Sequence, residues 1–113
     1  MDSLNEFERT LLLRLAAVYS SIAPHIPLLR VESRTPTGVG MYVNFYYTDT
    51  GAAVPDLGMK DGAISTNERI GIPGLEYGLG YEVAISNNRI QFIEIFTYGE
   101  SWDGQLDSYW FIG

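Results

Sequence analysis

The stretch from Tyr81 to Tyr98, YEVAISNNRIQFIEIFTY, constrains the fold more than any other part of the chain. Two runs of strand-like residues meet at Asn87-Asn88. Asparagine tolerates left-handed backbone angles, so this pair between alternating apolar runs predicts a two-residue β-hairpin turn. Counting outward without irregularity pairs Ser86 with Arg89, Ile85 with Ile90, Val83 with Phe92 and Tyr81 with Glu94. Side chains alternate along a strand, so Tyr81, Val83, Ile85, Ile90, Phe92, Phe96 and Tyr98 are expected on one face that another element must cover. Glu94 then stands among aromatics, while Ile93 and Ile95 are apolar exceptions on an otherwise wet face of Glu82, Ala84, Ser86, Arg89, Gln91 and Thr97.

The cover is expected from residues 3 to 22, SLNEFERTLLLRLAAVYSSI. Leu4, Phe7, Leu11, Leu15, Val18 and Ile22 recur at helical spacing, and Leu12 and Tyr19 widen the stripe. Ser3 and Glu6 have capping-box spacing. Pro24 and Pro27 end the helix, and the segment between them carries His25, read as a surface-loop residue without a role.

Leu28 to Arg34 and Met41 to Tyr47 read as two further strands joined through Thr35-Pro36-Thr37-Gly38-Val39-Gly40. In the second, Met41, Val43, Phe45 and Tyr47 face the core, and Tyr42, Asn44 and Tyr46 face away. The glycines of the connection lack the lysine and helix of a phosphate loop and are assigned to turn or bulge geometry. Thr48 to Ile70 reads as a surface excursion with turns at Asp49-Thr50-Gly51 and Asp61-Gly62 and a short strand near Ala63 to Ser65. Ser108 to Ile112 is an edge strand or a packed tail.

The chain has 113 residues, enough for one core and one domain over residues 1–113. Its 14 acidic side chains against 7 basic ones, net charge −7, argue against nucleic acid and anionic membrane surfaces and favour a basic protein partner. The absence of cysteine excludes disulfides, thiolate metal sites and cysteine nucleophiles. No metal site or cofactor is expected, since the carboxylates of residues 49–69 are too scattered for a calcium loop. The first residues lack a basic leader, and no run approaches the ~20 apolar residues of a membrane span, so a cytoplasmic location is expected.

Little here points to catalysis. Glu94, placed among aromatics, is the one enzyme-like feature, and Glu76, Glu82 and Glu100 are the acids near it in sequence that could complete a carboxylate pair. The structural alternative is a hydrogen bond to a tyrosine, a backbone amide or Arg30. The acids Glu100, Asp103 and Asp107 around Trp102, Tyr109 and Trp110 read instead as a binding surface, because aromatics flanked by carboxylates anchor and steer a partner rich in arginine and lysine.

Thr37-Gly38-Val39-Gly40, Gly74-Leu75-Glu76-Tyr77-Gly78-Leu79-Gly80 and the run from Glu94 to Trp102 carry a resemblance to small bacterial α+β proteins that share a TGVG turn, a GLxxGxG segment and a strand ending near TYG and a tryptophan. In size, charge and lack of cysteine the chain is also similar to immunity proteins of polymorphic toxin and contact-dependent inhibition systems. The expectation is therefore an α+β domain, its N-terminal helix packed on one face of a twisted, mainly antiparallel sheet of four to six strands. Its expected function is non-enzymatic: neutralising a basic toxin domain, a nuclease in the first instance, through Glu100, Trp102, Asp103 and Asp107, with Tyr42 and Tyr46 second. The alternatives are a small enzyme or ligand-binding domain built on Glu94, and a self-associating domain joined through an exposed edge strand.

Overall fold

A computed structural model describes residues 3–48 and 53–112. The protein is α+β: one N-terminal α-helix, α1 (Glu6–Val18), and seven antiparallel strands in one sheet. The strands are β1 (Leu29–Pro36), β2 (Gly40–Tyr47), β3 (Gly62–Ile64), β4 (Arg69–Gly71), β5 (Leu79–Ser86), β6 (Arg89–Thr97) and β7 (Trp110–Ile112). They lie in the order β1-β2-β6-β5-β4-β7, and β3 pairs with β5 on the same side as β4. The sheet is thus larger than the expected four to six strands, because short strands form at 62–64, 69–71 and 110–112. The turn expected at Asp49-Thr50-Gly51 lies outside the described residues.

The β5–β6 hairpin turns at Asn87 and Asn88, whose φ angles of 54° and 60° are the left-handed values a primed two-residue turn requires. Ser86 opposes Arg89 and Ile85 opposes Ile90, as the unbroken count predicts, but Ala84 then opposes Phe92. Gln91 is an extra residue, a β-bulge, and its side-chain amide donates to the Ser86 carbonyl at 2.9 Å. The bulge overturns the expected pairings beyond it: Val83 opposes Ile93, Glu82 opposes Glu94 and Tyr81 opposes Ile95. One inserted residue reverses the parity of the strand, so Ile93 and Ile95 are buried while Phe92, Glu94 and Phe96 turn outward.

The core lies between the inner face of the sheet and α1. Phe7, Leu11, Leu12 and Leu15 meet Val43, Phe45, Val83, Ile93 and Ile95 there. Each fully buried aliphatic side chain contributes roughly 1.5–3 kcal/mol by area. Val18, expected on the stripe, is exposed, because α1 ends there and the Tyr19 amide closes the last turn on Leu15.

The helix start also differs. Asn5, not Ser3, is the N-cap, and Glu8 completes the box: Glu8 N–H donates to Asn5 Oδ1 at 2.8 Å and Asn5 N–H to Glu8 Oε1 at 2.9 Å. This register buries Glu8, whose carboxylate accepts from Arg34 Nε at 2.7 Å and Arg34 Nη2 at 2.9 Å, fixing the first helical turn to β1.

The prolines do not end order. Residues Ser20–Leu28 form a 3-10 helix containing Pro24 and Pro27, and it buries His25 completely. This corrects the surface-loop reading of His25. Its Nε2–H donates to the Pro55 carbonyl at 2.8 Å, which leaves Nδ1 to accept from the Tyr47 hydroxyl at 2.8 Å. Tyr47 in turn accepts from the Ile90 amide, and Asn88 bonds both Pro55 O and the Leu57 amide. One neutral histidine thereby joins the 3-10 helix, β2, the hairpin turn and the 53–60 segment. Burial holds its pKa below the ordinary histidine value.

Candidate functional site: an open aromatic sheet face

The helix, the 3-10 segment and the 98–109 connection all pack on the inner side of the sheet. No described element covers the outer side of β1, β2, β6 and β5. Strand alternation and the Gln91 bulge place Tyr42, Tyr46, Phe92, Phe96 and Tyr98 there, none of them buried. Tyr42 meets Phe92 edge to face with ring centroids 5.5 Å apart, and Phe96 meets Tyr98 in the same manner at 5.8 Å.

Across this face runs the row Thr35, Tyr42, Glu94, Glu82, each opposite the next in register. Two carboxylates directly opposite each other on neighbouring strands repel, an arrangement that costs stability. Among the described residues neither forms an ion pair. The Glu94 charge beside Tyr42 raises the pKa of that hydroxyl, helped by desolvation. Next to Glu94 is a recess of about 250 Å³ lined by Thr37, Val39, Gly40, Tyr42 and Phe96. Its shape depends on two glycines. Phe96 stands in register between Gly40 and Gly80, and its ring lies on Gly80, where a Cβ would come within 2.6 Å of it. At Gly40 a Cβ would collide with the Ile95 carbonyl oxygen, so this glycine lets the two backbones close up, and the recess opens beside it between Phe96 and Tyr42.

The sequence-predicted residues divide between two regions. Tyr42 and Tyr46 lie on the open face, as their alternation requires. Trp102 does not project as an anchor: it is 8% exposed, its indole N–H donates to the Gln105 carbonyl at 3.1 Å, and its amide bonds Gly38 O. Glu100 uses its carboxylate on the amides of Glu76 and Tyr77, at 3.1 and 3.0 Å. Asp103 accepts from the Gln105 amide at 2.9 Å within its own turn. Asp103 and Asp107 are exposed and line a recess of about 220 Å³ beside Pro73 and Trp102. Tyr109 packs on Phe7 and Phe111, whereas Trp110 is half exposed over Gly71. The Thr37–Gly40 turn stands between the regions and lines a recess on each side.

Glu94 is not on the covered apolar face, contrary to expectation: the bulge turns it outward, where it is half-buried opposite Tyr42 and Glu82. Arg30 is not its partner: that side chain bonds the Leu29 carbonyl at 2.8 Å. Phe92, Phe96 and the Glu82–Glu94 pair are the members of the site that an unbroken count missed. A signal was present, since that count put two isoleucines on the wet side and a glutamate on the dry side. A single inserted residue removes both conflicts.

Among the described residues no three His, Asp or Glu side chains are grouped to hold a metal ion, and no helix is long and apolar enough to cross a membrane. In comparisons with family models, curated proteins and solved structures, nothing matches the chain.

Proposed function

We propose that this chain is a binding protein of the immunity type, which neutralises a basic toxin domain, a nuclease in the first instance, by occluding it through direct contact. The observation that carries the reading is the open sheet face: contiguous tyrosine and phenylalanine rings around two facing carboxylates that, among the described residues, no cation neutralises in an ion pair. Aromatic side chains offer large contact area at low entropic cost, and a face that tolerates carboxylate repulsion when alone gains most from a positive partner. The net charge of −7 acts in the same direction, accelerating encounter with a cationic surface at low salt. Asp103 and Asp107 extend the negative field beyond the Thr37–Gly40 turn.

Hetero-association is favoured over pairing through β1. That strand carries a bulge between Val31 and Ser33, an exposed Glu32 and a terminal Pro36, features that blunt an edge against strand addition.

The test is a titration against each basic protein that the adjacent genes encode. A complex with Kd in the micromolar range or tighter, with an association rate that falls as salt rises, is expected. No complex at micromolar concentration overturns the reading.

A further inference from the structure

On the reading that a basic protein docks on this face, we infer that the recess above Gly40 receives an arginine side chain of that partner, its guanidinium stacked between Tyr42 and Phe96 and bonded to Glu94. Three features select this chemistry. The walls are aromatic, and Tyr42 and Phe96 flank the space because the Phe96 ring is seated on Gly80 rather than on Gly40. The acid at the wall is doubly disposed to accept a cation, since Glu82 stands directly opposite Glu94 and repels it. The volume, about 250 Å³, admits a long side chain and not a folded segment.

The chain contains the arrangement in complete form elsewhere. Arg14 lies 4.0 Å from the centre of the Phe111 ring while its guanidinium bonds the Glu68 carboxylate, with Nε to Oε1 at 3.0 Å. Ring and carboxylate together hold a planar guanidinium, which stacks and bonds at once. A lysine ammonium is a compact, strongly hydrated charge that does only the second well. The Gly40 recess presents the same ring and carboxylate to a guanidinium from outside.

The experiment follows backbone amide shifts of the full chain by NMR during titration with a blocked hexaarginine peptide, and in parallel with a hexalysine peptide of equal charge. The expected result is that shifts concentrate at Gly40, Tyr42, Glu94 and Phe96 and that hexaarginine binds several-fold tighter. Replacing Glu94 by Gln, which keeps the side-chain shape, weakens hexaarginine roughly tenfold, the scale of one lost charge-assisted hydrogen bond. Glu6→Gln, in the exposed first turn of the helix on the opposite side of the sheet, leaves the binding unchanged.

Shifts confined to residues 100–107, equal affinity for the two peptides, or unchanged affinity in Glu94→Gln would each overturn the arginine slot. Titration of the basic proteins that the adjacent genes encode separates this from the wider proposal. If one of them binds the native chain and Glu94→Gln equally, the slot falls and the immunity reading stands. If the peptide binds at the recess while none of them binds at all, the slot stands and the immunity reading falls.

Discussion

Removing the Glu8 carboxylate tests how the helix is fixed to the sheet. Glu8 is 1% exposed and makes two kinds of contact, the reciprocal cap with Asn5 and the forked bond with Arg34. Losing an N-terminal cap costs about 0.5–2 kcal/mol. Breaking one side of a buried ion pair costs roughly 3–5 kcal/mol when the partner is left without water. Arg34 keeps 29% of its side chain in solvent, so its charge is rehydrated in part and this contribution falls to about 1.5–2 kcal/mol. The total for Glu8→Ala is then about 2–4 kcal/mol, a large share of the roughly 6–17 kcal/mol expected for a domain of this length. With a urea slope near 1.5 kcal/mol per molar, the midpoint falls by roughly 1–3 M. Glu8→Gln separates the terms, because glutamine completes the cap but carries no charge; it should recover about 1 kcal/mol relative to alanine. A double-mutant cycle of Glu8→Ala with Arg34→Ala should return a coupling of about 1–3 kcal/mol. A loss below about 1 kcal/mol for Glu8→Ala, or a coupling near zero, would refute the account of this joint.

Four further outcomes are expected. Glu94→Gln or Glu82→Gln relieves the facing carboxylates and should raise thermal stability by about 0.2–1 kcal/mol while weakening capture of a basic partner; a fall in stability contradicts the repulsion. His25 is held neutral, with its folded pKa below the unfolded value, so the unfolded chain takes up the proton first. Stability should therefore decline as pH falls below about 6.5 and level off once the folded state also protonates, and His25→Gln should flatten that part of a pH–stability profile. Deleting Gln91 removes the bulge and lets Phe92 follow Ile90 directly, so Phe92, Glu94 and Phe96 stay outward opposite Ala84, Glu82 and Gly80, and a cooperative unfolding transition by circular dichroism should survive; its loss would remove the bulge from the explanation. Trp102→Ala should cost about 3–5 kcal/mol in chemical denaturation, and iodide should quench the fluorescence of Trp110 but not that of Trp102.

Local rules made much of this fold readable. Asn87-Asn88 announces its turn because positive φ is a property of a residue and its neighbours, and β2 alternates without interruption, so both its faces follow from its sequence. The α+β class follows from one helical stripe and a hairpin that needs covering. What escaped depends on distant partners. Gln91 is a bulge because the two isoleucines after it pack beneath α1, and a count along one strand carries no such information. His25 looks idle in a list of neighbours, yet Tyr47 and Pro55, 22 and 30 residues away, satisfy its ring. The same holds for Glu8 and Arg34, separated by 26 positions. Tyr42 and Tyr46 were legible as outward residues. The carboxylate pair between them and β5 was not, because its position depends on the bulge.

The Gln91 insertion also divides labour along the strands. Even-numbered positions of β2, β5 and most of β6 look outward and odd-numbered ones hold the protein together. Substitutions at Tyr42, Glu82, Phe92 or Glu94 can therefore accumulate without disturbing Val43, Val83 or Ile93. A lineage built on this chain is free to vary its exterior while its architecture stays constant.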